Sequence, residues 1–227
     1  MVETRLAIYT DGACEPNPGP GGYGVVLLYG GKKRELSQGY LLTTNNRMEI
    51  MAAIAALETL NNPTAVTLYS DSKYLVDAMT HGRARSWKES GWVRKAGRRV
   101  PNSDLWERLL ILDDKYDLTY IWVKGHSGDR FNEVADALSY KAIESQNKIE
   151  DVGYLKQIEE ERERPTKISE EGQPCRKCST PVIKRTPRRK VKKGQSYYFE
   201  YYLFCPKCKT MYVVEDAKRY FKQDSIF

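Results

Sequence analysis

With 227 residues, 41% of them hydrophobic, the chain has material for one medium domain with a real core and a small second one. Its net charge of +7, from 37 Lys and Arg against 30 Asp and Glu, points to a polyanionic partner. No apolar run approaches the ~18 to 20 residues of a membrane span, and no basic stretch leads into an apolar one, so the expectation is a soluble cytoplasmic protein with no membrane partner, taken separately to be a monomer.

Three extended segments come first, Thr4–Thr10, Tyr23–Tyr29 and Lys33–Tyr40, and Gly30-Gly31 joins the last two as a hairpin. Between the first two lies "YTDGACEPNPGPGGYG", in which Asp11 ends a strand and five glycines and three prolines follow as a turn. "TTNNRMEIMAAIAALETL" (Thr43–Leu60) reads as a helix that is apolar on nearly every side, hence buried. "AVTLYS" (Ala65–Ser70) is a buried strand and "DSKYLVDAMT" a helix; His81 to Ser103 reads as a loop rich in Gly, Arg and Trp. A helix over Asp104–Leu112, a strand over Leu118–Gly125 and a helix from about Arg130 to Ser145 complete the module. Antiparallel strands followed by strands alternating with helices predict an α/β fold, a mixed sheet with helices on its faces.

Four acids sit badly for ordinary surface residues: Asp11 at a strand end, Glu49 early in the apolar helix, Asp71 after the buried strand, and Asp136 between alanines on the last helix. Taken singly, each has a bland reading as a cap or a dipole partner, and Asp71-Ser72 looks like an ordinary N-cap. Strand ends and helix starts of a mixed sheet can also converge on one edge. Carboxylates crowded there repel one another unless a cation is present, and Mg²⁺ prefers such oxygen ligands.

In order and spacing, "YTDGACEPNPGPGGYG", "TTNNRMEIMAAI", "SDSKYL" and "WVKGHSGDRFNEVADALS" resemble type 1 ribonuclease H over about Val2 to Tyr154. The resemblance implies the ribonuclease H-like mixed five-stranded sheet with flanking helices. It also implies that Asp11, Glu49, Asp71 and Asp136 bind two Mg²⁺ ions, with Mn²⁺ as a substitute. The activity it implies is hydrolysis of the RNA strand of an RNA–DNA hybrid, leaving 5′-phosphate and 3′-hydroxyl ends. His126 becomes a proton acceptor or product-release residue, and Asn132 helps to hold that region. Asn17, Thr44, Asn45 and Asn46 are the matching hybrid contacts, against turn chemistry at Asn17 and helix capping at Thr44 to Asn46 as the alternatives. The Gly/Pro turn after Asp11 would let the backbone approach a groove lined with 2′-hydroxyls. Lys73 and Ser86 depart from residues common in relatives, and Cys14 is read as a small packed hydrophobe.

"HGRARSWKESGWVRKAGRRVPNS" resembles the family's basic protrusion, so Trp87, Lys88, Arg94, Lys95, Arg98 and Arg99 are expected nucleic-acid contacts, and Trp92 a core anchor. From Ile149 to Gly172 the sequence turns charged; the boundaries are read as 1–154, a linker over 155–172, and 173–227. Gly172 to Phe227 holds 14 basic and 4 acidic residues, +10, leaving 23 against 26, or −3, for the rest. In this tail Cys175, Cys178, Cys205 and Cys208 form two C-x-x-C pairs 26 residues apart, the spacing of a four-cysteine structural Zn²⁺ site. The intervening "VIKRTPRRKVKKGQSYYFEYYLF" reads as a hairpin turning near Lys193-Gly194. The tail looks like a zinc ribbon, a small β domain stabilised by its metal and used for nucleic-acid and protein binding alike; its basic and aromatic interleaving favours duplex or single-stranded nucleic acid over a domain that zinc merely staples. Two rival readings stand beside this one. Crowded acids disfavour a non-catalytic hybrid- or DNA-binding module; the NPGPGG, NNR and basic Trp motifs together disfavour a DNA nuclease, integrase or transposase.

Overall fold

The computed structural model describes residues 5–62, 65–94, 99–162, 167–187 and 196–220. They fall into two compact units, Met1–Trp92 with Pro101–Ile158, and Val93–Val100 with Glu159–Phe227.

In the first unit β1 (Leu6–Cys14), β2 (Gly19–Tyr29) and β3 (Lys32–Thr43) pair antiparallel, and Gly30 and Gly31, both at positive φ, make the predicted hairpin turn. β4 (Ala65–Ser70) lies parallel to β1, and β5 (Asp117–Trp122) parallel to β4. The mixed character follows the expectation, but the sheet has six strands rather than five, in the order β5-β4-β1-β2-β3-β6. The extra strand, β6 (Lys148–Ile149), pairs with Gly39 and Tyr40; two residues are too few to display the alternation that betrays a strand.

A second correction bears on the site. Asp11 is not at a strand end but inside β1, opposite Gly24, and the glycine run expected as a turn is the first half of β2. These glycines are there for packing. A Cβ on Gly24 would lie 2.0 Å from the Ala135 carbonyl oxygen, and one on Gly12 would lie 2.2 Å from the Glu49 nitrogen. Adjacent strand residues face opposite sides, so α1 (Asn45–Glu58) seats on the face carrying Gly12, and α5 (Arg130–Glu144) on the face carrying Asp11 and Gly24.

α1 is buried almost all round, with Met48, Ile50, Ala52, Ala53, Ile54, Ala56 and Leu57 in the core. α2 (Lys73–Thr80) follows β4. The stretch expected as a loop contains α3 (Arg83–Glu89), which buries Ala84 and packs Trp87 edge-on against Trp106, with ring centroids 5.8 Å apart. Its dense arginines mask this short apolar spacing. α4 (Ser103–Lys115) supplies Trp106, and α6 (Val152–Arg162) follows β6.

Buried Arg47 ties these helices together. It donates to Asp151 at 2.7 and 2.8 Å and to Asp104 at 2.9 and 2.7 Å, while the Thr43 hydroxyl donates to Asp151 at 2.6 Å. Two carboxylates on one guanidinium satisfy most of its donors, which is what makes a buried charge tolerable.

The second unit is a small β structure. β7 (Ile183–Arg185), β9 (Tyr202–Phe204) and β10 (Met211–Val213) form one antiparallel sheet with β9 central; β8 (Tyr197–Phe199) pairs with β11 (Lys218–Tyr220). The expected antiparallel pairing of the basic arm with the aromatic arm is found between β7 and β9, whereas β8 pairs with β11 instead. The turn expected near Lys193-Gly194 lies outside the described residues. Ile168, Val182, Leu203, Val214 and Ala217 make its core, together with Cys175 and Cys205. Among the described residues no helix is long and apolar enough to cross a membrane.

Candidate functional site

The first unit brings Asp11, Glu49 and Asp71 together, each with a carboxylate oxygen within 4.8 Å of the other two. Three separate elements deliver them: β1, the first turns of α1, and the loop leaving β4. Asp71 is not the N-cap of the next helix. Ser72 is, its Oγ accepting from the Leu75 N–H at 3.3 Å, so the Asp71 carboxylate is left for the cluster. Thr44 occupies the N-cap position of α1 but makes no side-chain capping bond.

Asp136, half-buried on α5, stands outside this three-acid set, although its charge is felt at Asp11 and Glu49. Its own pKa is raised by burial and by Asp71, against the opposing pull of His126. Burial, then the neighbouring Asp71 and Asp136, push Asp11 up to about 7, although a hydrogen bond from Ser139 works the other way. Glu49 is raised well above its ordinary value, by burial first and by Asp11 and Asp71 next. Its Oε2 is buried without a hydrogen-bond partner. An acceptor-only donor set of crowded carboxylates, with one oxygen orphaned, fits a hard divalent cation and is poorly served by protons alone.

Two neighbours hold the acids in place. The Asn132 side-chain amide donates to Asp71 at 3.4 Å, and Ser139 Oγ lies 2.8 Å from Asp11 Oδ2 and 2.7 Å from the Asp136 carbonyl. Ser139 went unnoticed in the sequence, although its place three residues after Asp136 puts both on one helical face. Trp122 was also missed: its indole N–H donates to the Asp71 carbonyl at 2.9 Å, and Lys73 Nζ lies 4.7 Å from its ring centre.

His126 is exposed in the loop before α5, at φ 50°. Asn17 is exposed, and its Oδ1 accepts from the Asn45 N–H at 3.3 Å, while the Asn45 amide reaches Glu49 Oε1 at 3.5 Å. Asn17, Asn45 and the acids therefore share one stretch of surface. Cys14 is half-buried, with its thiol near the Pro16, Gly19 and Thr43 carbonyls. Trp87 is half-buried and Lys88 exposed on α3. Trp92 is half-buried rather than a full core anchor. Arg94 and Arg99 are exposed and belong to the second unit; Arg99 Nη1 lies 2.9 Å from Glu160. Lys95 and Arg98 lie outside the described residues.

The second unit gathers Cys175, Cys178, Cys205 and Cys208, all four sulfurs within 4.8 Å of one another. The two C-x-x-C-x-T segments are built alike. Ser179 and Lys209, at φ 57° and 61°, turn their N–H groups onto the Cys175 and Cys205 carbonyls at 2.8 and 3.0 Å. Lys177 and Cys208 N–H groups approach the Cys175 and Cys205 sulfurs at 3.4 and 3.5 Å. Burial pushes the Cys205 thiol up to about 12, whereas at Cys208 the Thr210 hydrogen bonds outweigh burial and hold the thiol at about 6. Four gathered sulfurs, two of them approached by backbone N–H groups, fit Zn²⁺, which prefers four such ligands.

Comparison with known proteins places the first unit. The RNase H family model matches residues 3–144. The chain is 55% identical over 152 residues to the ribonuclease H of Syntrophus aciditrophicus, covering 67% of this chain and 88% of that one. It is 53% identical over 152 residues to the ribonuclease HI of Synechocystis, covering 66% and 95%. Among solved structures it is similar to LC9-RNase H1, a type 1 RNase H with the type 2 active-site motif, at TM-score 0.57 and 29% identity, over 69% of this chain and 82% of that one. By its family match, its relatives and its fold, the chain belongs to the RNase H family and is a ribonuclease H enzyme of the type 1 kind.

Proposed function

We propose that the first unit cuts the RNA strand of RNA–DNA hybrids by phosphodiester hydrolysis, leaving 5′-phosphate and 3′-hydroxyl ends. The observation that carries this is the convergence of Asp11, Glu49 and Asp71 within 4.8 Å, with Glu49 Oε2 buried and unpaired. Asp11, Glu49, Asp71 and Asp136 would hold two Mg²⁺ or Mn²⁺ ions. Bound divalent ions supply an activated water and neutralise charge on the leaving oxygen.

The chain's own residues do the rest. Ser139 and Asn132 fix the Asp11 and Asp71 carboxylates, so little reorganisation is left for the reaction itself. His126, exposed and electrostatically coupled to Asp136, takes up and releases a proton at the edge of the site. Thr44, free of a capping bond, joins Asn17, Asn45 and Asn46 in contacting the sugar edge of the hybrid, where 2′-hydroxyls mark the RNA strand. Trp87 and Lys88 on α3, with Arg94, Lys95, Arg98 and Arg99, bind phosphates and sugars without reading sequence.

The second unit holds Zn²⁺ through its four cysteines and adds nucleic-acid affinity through its charge of +10 over Gly172 to Phe227. Labelled RNA–DNA hybrid, duplex RNA and duplex DNA incubated with the protein in Mg²⁺ test the reading. Cleavage confined to the RNA strand of the hybrid is expected. Cutting of duplex DNA would replace it with a DNA nuclease, and tight hybrid binding without cleavage with a binding module. Metal analysis of the purified protein should find zinc, and loss of that zinc when Cys205 and Cys208 become serine.

A further inference from the structure

The sheet of the second unit has two unlike faces. Pairing sets Phe204 between Ile183 and Met211, and Tyr202 between Arg185 and Val213. Alternation then puts these six on one face, and Lys184, Leu203 and Tyr212 on the other. The latter face is the built one: Leu203 is 1% exposed, and the Tyr212 hydroxyl lies 3.1 Å from Cys175 Sγ. The first face is open, with Met211, Val213 and Ile183 at 65%, 57% and 36% exposure. Its polar element is cationic. The Arg185 guanidinium lies 4.0 Å from the centre of the Phe204 ring, and Lys209 Nζ 5.8 Å from the same ring.

We propose that this face of the β7-β9-β10 sheet is a stacking platform for single-stranded nucleic acid, RNA or DNA. The inference rests on the reading of the second unit as a nucleic-acid module, and adds which face binds and in what form. Three features select an unpaired strand. Tyr202 and Phe204 share the face about 7 Å apart along the strand, within the spacing of neighbouring nucleotides in an extended chain. Arg185, stacked on Phe204, offers its second planar surface to a base and its edge N–H groups to a phosphate. Aliphatic Ile183, Met211 and Val213 give apolar area that a base buries and that a duplex, with its bases already stacked, leaves in water. Cations on the ring and the net charge of +10 over Gly172 to Phe227 favour a polyanion over an apolar protein partner.

The test uses the full chain and fluorescence anisotropy with a 15-nucleotide oligo-U, a 15-nucleotide oligo-dT and a 15-base-pair DNA duplex. Arg185→Ala, Tyr202→Ala and Met211→Ser are compared with wild type, Met211→Ser being a surface change that leaves the Leu203 side intact. Removing a stacking partner should weaken single-strand binding roughly 5- to 150-fold. Duplex affinity should change much less, and cleavage of a short hybrid should stay as in wild type. Equal losses on single strand and duplex would overturn the single-strand assignment while leaving a general phosphate surface. Unchanged affinity for all three probes, in variants that retain their zinc, would overturn the platform altogether and turn the face over to a protein partner.

Discussion

At the scale of single residues, the charge on Asp71 is what its position demands. Ser72 caps α2, so Asp71→Asn leaves that cap in place, and Asn132 can still pair with the new amide oxygen. The variant should fold and bind hybrid while losing cleavage almost completely; normal cleavage by the folded variant would break the four-acid assignment. His126→Ala should slow turnover by less, since water replaces a proton carrier more easily than a ligand, and single-turnover rates would show it. Asp11 also makes a pH prediction. Its folded pKa of about 7 lies above the roughly 3.9 of an unfolded aspartate, so its proton stabilises the metal-free fold at low pH. That stability is present below the unfolded value and is lost as pH rises through the folded one. In EDTA the Tm should therefore fall from pH 5 to pH 7.5, less so for Asp11→Asn, and Mg²⁺ should restore it at pH 7.5 but not at pH 5.

At the scale of elements, the site depends on how tightly helices seat on the sheet. Gly12 and Gly24 let α1 and α5 approach opposite faces of β1 and β2, which no other side chain allows without displacing backbone. The buried Arg47 cluster then joins α1 to α4 and to the start of α6. Arg47→Ala leaves Asp151 buried without its cation and should cost about 3–5 kcal/mol, read from urea unfolding. An apolar pair at positions 47 and 151 should recover part of that loss, because it buries no charge. On the proposed function, the basic stretch after α3 should act on binding rather than chemistry. Neutralising Arg94, Lys95, Arg98 and Arg99 should raise KM with kcat little changed. It should also flatten the salt dependence of binding, by about 0.9 for each phosphate of a B-like duplex that is no longer neutralised.

For the whole molecule, the two units make separable contributions. Ending the chain after Ile158, where the first compact unit ends, keeps the acids and the Arg47 cluster. Such a protein should cleave hybrids but bind long ones more weakly than the full chain, with the defect fading on hybrids too short for two modules. Zinc chelation of the full chain should reproduce the defect. Equal Kd values for both proteins on short and long hybrids would remove the second unit from substrate binding.

How much of this was legible follows from the range of each interaction. The hairpin at Gly30-Gly31, the apolar helix, the parallel strands and the C-x-x-C pairs are written in local periodicity and turn chemistry, so sequence alone determined the α/β class and nominated the acids and cysteines of both candidate metal sets. What it could not determine depends on interactions between distant residues. Asp11 lies within a strand because Gly24, beyond the turn, pairs with it, and the glycines there serve helix packing, a fact visible only when Ala135 and Ala142 of α5 are seen against Gly24 and Gly22. Ser139 reaches Asp11 across 128 positions and Arg47 reaches Asp151 across 104, so neither partnership leaves a local signal. The strand β6 and helix α3 escaped for the opposite reason, being too short for their periodicity to stand out from their polar neighbours. Tertiary structure alone decided that three acids, not four, meet within 4.8 Å, because the place of Asp136 depends on how α5 seats against β1 and β2.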